Sequence, residues 1–155
     1  MKTKPLIQGA VIASIYVVLT FVFAPISYGV MQVRISEALT VLPYFTPVAV
    51  PGLFVGCLIA NILGPYGAID MVFGSFATLV SAILSYRLRK TRLLVPLPPV
   101  LINGFVIGSL LHWGYGVPVS LLGCMLWVSL GQIISCYGLG YPLMTILKRY
   151  EKIFI

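Results

Sequence analysis

Three charged residues stand apart from the ends of the long apolar stretches in this chain: Arg34, Glu37 and Asp70. A charge at the depth of a bilayer costs about 2.5–3.5 kcal/mol on insertion scales, so each needs a partner or a purpose. Arg34 and Glu37 are three residues apart and meet if their stretch is helical. They then either neutralise each other at an interface or line a polar, outward-facing pocket. Asp70 follows the turn Gly64-Pro65-Tyr66-Gly67. It either caps the next helix, whose N-terminus favours an anion, or serves as counter-ion to a cationic solute. Asn61, Asn103 and Gln132 place amides inside apolar runs, where they bridge helices or touch a ligand. Asn61 is expected at the level of Asp70.

Other chemistries lack their residues. There is no GxxxxGK[ST] phosphate loop. No GxSxG or HExxH signature and no intramembrane pair of carboxylates points to catalysis, so the chain is read as a non-enzyme. Cys57, Cys124 and Cys136 have no metal-ligand spacing and read as small buried hydrophobes. His112 is the sole histidine, with no second ligand near it in sequence. No cofactor is implied.

The elements that must hold these residues are transmembrane helices. Of 155 residues, 60% are hydrophobic and 8% charged, with a mean hydropathy of +1.08. A soluble domain carries roughly 25% charged residues. The net charge of +7 does not suggest nucleic acid, because the cations punctuate apolar runs instead of forming a basic face. They fall at Lys2 and Lys4, in Arg87–Arg92, and at Lys148, Arg149 and Lys152, which is the positive-inside pattern. The run from Leu6 to Ala24 is too long for a signal peptide and reads as a retained first span.

Parity then sets the count. If both Lys2/Lys4 and Arg87–Arg92 are cytoplasmic, an even number of spans separates them. The charge-free stretch from Ala38 to Leu63 must therefore be two short helices, broken by Pro47, Pro51 and Gly52. The expectation is a single all-α domain over residues 1–155, a six-helix membrane bundle with both ends inside. Its spans lie near 6–24, 36–47, 50–63, 69–86, 98–112 and 118–147. The second and third are short enough to tilt or to lie against the others without crossing. The loops 25–36, 64–67 and 112–118 face outside, with Tyr28, Tyr66, Trp113 and Tyr115 as interfacial anchors.

The first span also carries two overlapping small-xxx-small pairs, Gly9–Ala13 and Ala10–Ser14. Such a face lets another helix approach closely, either within the bundle or from a partner.

These features together resemble the QueT family of substrate-binding S components of energy-coupling factor (ECF) transporters. The carrying segments are QVRISEALTVLPYFTPVAVPGLFVGCLIANILG, Gln32 to Gly64, and GAIDMVFGSFATLVSA, Gly67 to Ala82. Arg34-Ile35-Ser36-Glu37-Ala38-Leu39 is the most specific run. The resemblance implies a six-helix protein of the cell membrane that captures a vitamin-like solute from outside. It implies a transmembrane coupling subunit as partner and, through it, two ATPase subunits. The family's first-helix AxxxA-like face matches Gly9 and Ala13, with glycine replacing the first alanine. The implied solute is a queuosine precursor, a 7-deazaguanine such as 7-aminomethyl-7-deazaguanine or queuine.

The residues suit that solute. Glu37 is expected to accept the N1–H and 2-amino group, Arg34 or Asn103 to donate to the 6-oxo group, and Asp70 to face the aminomethyl cation. Tyr44, Tyr66, Phe73 or Trp127 would supply an aromatic face. Loop glycines at 29, 64, 67, 114 and 116 would let the outer loops close over it. Two rival readings are an S component for another vitamin or base, and a structural subunit of a membrane complex that binds no solute.

Overall fold

The computed structural model describes residues 3–28 and 31–154, the side chain of residue 153 excepted. Lys2 and Gly29 lie outside the described residues. Every regular element among the described residues is helical. Four helical stretches are long and apolar enough to cross a membrane: Thr3–Val22, Gly67–Arg87, Arg92–Gly114 and Leu121–Lys152. The first is α1, continued by a single turn, α2 (Ala24–Ser27). Gly67–Arg87 is α4. The third contains α5 (Leu97–Ser109) and ends in a π-helical turn, Leu110–Gly114. The last runs through α6 (Leu121–Gln132), a π-helical stretch Ile133–Gly140 and α7 (Tyr141–Leu147). Their outward faces carry Leu6, Ile7, Val18, Phe76, Leu101, Phe105, Leu122 and Leu126, all exposed. Exposed apolar faces of this extent suit lipid as the solvent, and the chain is a multi-pass membrane protein.

The expected second element lies against the others without crossing. Ile35–Tyr44 is a ten-residue 3-10 helix. At 2.0 Å per residue it reaches about 20 Å, short of a hydrocarbon core of about 30 Å. It is an internal element: every residue from Ser36 to Pro43 is buried. Within it Thr40 Oγ1 donates to the Glu37 carbonyl at 2.6 Å, and Pro43, which has no N–H, stands in its last turn. Of the three residues expected to break the stretch, only Pro47 does so. The break falls at residues 45–48, and α3 spans Ala49–Ile62 with Pro51 and Gly52 inside its first turn. Proline is tolerated there because the first N–H groups of a helix have no intrahelical acceptor.

Helix α3, 14 residues long, packs tightly on α1. A Cβ added to Gly52 would sit 2.9 Å from the Gly9 carbonyl, and one on Gly56 would sit 2.8 Å from Tyr16 Cβ and 3.0 Å from the Ala13 backbone. The Gly52–Gly56 pair and the Gly9–Ala13 pair are therefore two small-residue faces closed on each other. Glycine serves the last helix similarly. A Cβ on Gly131 would lie 2.1 Å from the Met31 carbonyl, and one on Gly140 would lie 3.0 Å from the Ala38 carbonyl. These contacts press the segment 31–44 into the bundle. Its apolar side joins a core of Ile12, Tyr16, Leu39, Leu42, Leu53, Cys57 and Ala60.

Candidate solute site

The buried 3-10 helix brings its polar residues to the bundle interior, where each buried polar group needs a hydrogen-bond partner. Glu37 is 1% exposed. Its Oε1 accepts from the Tyr16 hydroxyl of α1 and from Thr78 Oγ1 of α4 at 3.5 Å. Its Oε2 accepts from Asn103 Nδ2 of α5 at 3.5 Å. Three neutral donors from three helices thus converge on one carboxyl group.

The expected ion pair between Arg34 and Glu37 does not form. Arg34 precedes the 3-10 helix in extended conformation, so the two side chains do not share a helical face. Arg34 Nη2 instead donates to Asp70 Oδ2 at 3.2 Å, with side chains 5% and 2% exposed. Its guanidinium lies 5.3 Å from the centre of the Tyr28 ring, within cation–π range. The capping reading of Asp70 is also corrected. The N-cap of α4 is Tyr66, and Asp70 is the fourth residue of the helix, turned to Arg34. Its place in the first turn still lets the helix dipole favour its charge.

Asn61 closes this side. Its Nδ2 donates to the Asp70 carbonyl at 3.1 Å, to Ser75 Oγ at 3.5 Å and to Cys57 Sγ at 3.4 Å. Gly74 makes room, since a Cβ there would meet Asn61 Nδ2 at 2.9 Å and Asp70 Oδ1 at 3.1 Å. Cys57 is buried as expected but is no mere hydrophobe. Thr78 Oγ1 donates to its sulfur at 3.3 Å and Arg34 Nη1 points at it from 3.8 Å. Gln132 lies buried behind the 3-10 helix, where Cys136 Sγ donates to its Oε1 at 3.5 Å and to the Glu37 carbonyl at 3.5 Å.

Five of the expected site residues therefore gather: Arg34, Glu37, Asn61, Asp70 and Asn103. Tyr66 stands at the edge. Its hydroxyl donates to the Tyr28 carbonyl, and its ring lies 6.0 Å from Tyr28 and 4.9 Å from Tyr115. Tyr115 donates to the Tyr66 carbonyl at 3.2 Å, and Tyr28 to the Ala60 carbonyl at 2.9 Å. Burial, followed by the negative charge of Asp70, pushes the Tyr66 hydroxyl above its ordinary pKa, so it remains a donor. These three tyrosines are a linked roof beside Arg34 and Asp70. Trp113, 77% exposed, is the one of the four loop aromatics that remains a surface residue.

Three of the four expected aromatics stand away from this cluster. Trp127 is 44% exposed on the outer face of α6. Tyr44 packs against the Val41, Val95 and Met144 cluster and the edge of Phe45 at 4.8 Å. Phe73 likewise faces outward. A single aromatic in sequence carries no phase information, and each of these lies on the face its helix turns away from the polar cluster. Tyr16, Thr78 and Cys57 are the site residues that sequence reasoning missed. The signal for Tyr16 was a hydroxyl in mid-span at helical spacing from Ala13 and Thr20, which also turn inward.

The small residues of α1 divide by face. Gly9 and Ala13 turn toward α3, while Ala10 and Ser14 are exposed. Beside them runs an apolar groove of about 470 Å³, bordered by Leu6, Ala10, Val48, Pro51 and Val55.

The QueT transporter family matches residues 6–149. The chain belongs to that family. It is a family of transporters and not of enzymes. A relative, the queuosine precursor transporter QueT of Lactococcus lactis subsp. cremoris (strain MG1363), is 35% identical over 81 residues, which is 51% of this chain and 47% of that protein. The chain thus matches about half the length of that relative. No solved structure matches.

Proposed function

We propose that this QueT-family chain is the solute-binding S component of an ECF-type importer and that it takes up a queuosine precursor. The solute is a 7-deazaguanine such as 7-aminomethyl-7-deazaguanine or queuine. One observation carries the reading: of two buried carboxyl groups, Asp70 bonds the Arg34 guanidinium, whereas Glu37 is held by the neutral donors Tyr16, Thr78 and Asn103. A carboxylate held by neutral donors in a low-dielectric interior is costly unless a cation or a strong donor set completes it. A 7-aminomethyl-7-deazaguanine brings both, an ammonium group and an amidine-like N1–H and 2-amino edge. In this reading Glu37 accepts from that edge, Asn103 and Arg34 serve the 6-oxo group, Asp70 and Asn61 take the ammonium end, and Tyr66 roofs the base. The name of the Lactococcus relative supports the solute class.

The same reading includes a six-helix arrangement, counting the internal 3-10 helix and the short α3, with both chain ends cytoplasmic. It includes docking of a transmembrane coupling subunit, which carries two ATPase subunits, on the exposed half of the α1 small-residue face, Ala10 and Ser14, since Gly9 and Ala13 are closed on α3. The groove beside Ala10 supports that placement. The decisive experiment is equilibrium binding of 7-aminomethyl-7-deazaguanine to the purified full chain and to Glu37→Gln. We expect measurable affinity that Glu37→Gln weakens about tenfold or more, the scale of one hydrogen bond to a charged group. Unchanged affinity would remove Glu37 from the site. No binding by the unaltered chain, with binding of another base or vitamin from a panel, would reassign the solute.

A further inference from the structure

Gln32 is buried, 3% exposed, and its Nε2 has no hydrogen-bond partner. Such a group is uncommon, because a buried amide without a partner loses its hydration for nothing in return. Its backbone is unusual as well. With φ of +44°, Gln32 is the only non-glycine residue among those described in the left-handed region, which a side chain other than Asn, Asp or His seldom adopts. A glycine would meet that conformation more easily. The conformation is held from both sides. The Gln32 carbonyl accepts from Arg34 N at 2.9 Å. The Met31 and Gln32 carbonyls lie against Gly131, where an added Cβ would sit 2.1 Å and 3.1 Å from them. Strained residues kept in place by their surroundings cluster at ligand sites.

Gln32 is not alone in lacking a partner. Two residues on, Arg34 keeps Nε free while its Nη2 holds Asp70. Facing Arg34 across that ion pair, Asn61 Oδ1 and Asp70 Oδ1 are buried acceptors without donors. Ser81, Arg92 and Ser135 also carry such atoms elsewhere in the bundle, but these four sort by element. The segment entering the 3-10 helix presents two donors, and α3 with α4 presents two acceptors. By contrast, both oxygens of Glu37 already have donors.

We propose that Gln32 is a solute-recognition residue: its carboxamide, with Arg34 Nε, donates to the 6-oxo edge of a flat heterocyclic base, while Asn61 Oδ1 and Asp70 Oδ1 accept from its aminomethyl group. This rests on the solute site proposed above and adds the residue that reads the 6-oxo group. Its consequence is specificity. A site built to donate to a carbonyl rejects an analogue presenting an amino group there, since donor then faces donor.

The test is calorimetric binding to the purified full chain and to Gln32→Gly, with 7-aminomethyl-7-deazaguanine and with its analogue carrying a 6-amino group in place of the 6-oxo group. Gln32→Gly removes the carboxamide and suits the positive φ, so the ligand-free variant should melt no lower than the unaltered chain. We expect it to bind the 6-oxo base about tenfold more weakly while its affinity for the 6-amino analogue stays the same or rises. Unaltered affinity for the 6-oxo base would overturn the assignment. So would equal weakening toward both bases, which indicates a structural role. If the unaltered chain binds neither base, the proposed solute falls and this assignment falls with it, whereas loss confined to Gln32→Gly judges Gln32 alone.

Discussion

Replacing Asp70 by Asn tests the ion pair on which the site is built. The carboxylate faces Arg34 at 3.2 Å with both side chains almost wholly buried. At an effective dielectric near 20, unit charges at that distance attract by about 5 kcal/mol. Desolvation of both groups offsets much of this when the pair forms, so its net value is smaller. Removing one partner is a different matter, because the guanidinium is left buried without its hydrogen-bonded counter-charge, at a cost of up to about 3–5 kcal/mol. Glu37 relieves it only in part: its charge acts on Arg34, but no hydrogen bond joins the two and its oxygens are engaged by Tyr16, Thr78 and Asn103. Asp70→Asn should therefore unfold at a markedly lower denaturant fraction in mixed micelles. The double variant Arg34→Met with Asp70→Leu should recover most of that loss, because neither charge then remains. Stability of Asp70→Asn equal to that of the unaltered chain would refute the argument. So would a double variant no more stable than Asp70→Asn, which would mean that the pair was not the source of the cost.

Three further outcomes follow from other parts of the molecule. Gly56→Ala puts a Cβ 2.8 Å from Tyr16 Cβ; overpacking of this kind costs about 1–3 kcal/mol and should lower the melting temperature of the purified protein. Ala10→Leu with Ser14→Leu changes exposed positions of α1, so thermal stability should be nearly unaltered while co-purification of the proposed coupling subunit is lost; retained capture would move docking elsewhere. A cysteine at Lys90 should be labelled by a membrane-impermeant thiol reagent only after cells are opened, and labelling of intact cells would reverse the orientation.

Composition alone was enough to make this a membrane bundle. Four runs of apolar residues bounded by cations or by Gly and Pro became the four long helices, since lipid demands an apolar exterior at every depth and the chain has little else. The costly residues were legible for the same reason. Arg34, Glu37, Asn61, Asp70 and Asn103 stand out against an uncharged background, and all five meet. Pairing was not legible. Arg34–Glu37 is the near pair in sequence, but helical spacing brings residues together only along a continuous helix, and Arg34 lies outside it. Asp70 becomes its partner only because α4 passes beside the segment leading into the 3-10 helix.

The sequence by itself determined which groups must be satisfied and how many apolar helices must surround them, because both follow from the free energy of moving each residue type from water into hydrocarbon. The tertiary structure alone decided who satisfies whom. Gly52 and Gly56 let α3 close on α1 and Gly131 seats the strained Gln32 segment. An internal 3-10 helix carries Glu37 to Tyr16, Thr78 and Asn103. Hydrogen bonds and ion pairs act over a few ångströms between residues tens of positions apart, and such distances exist only once the helices have packed.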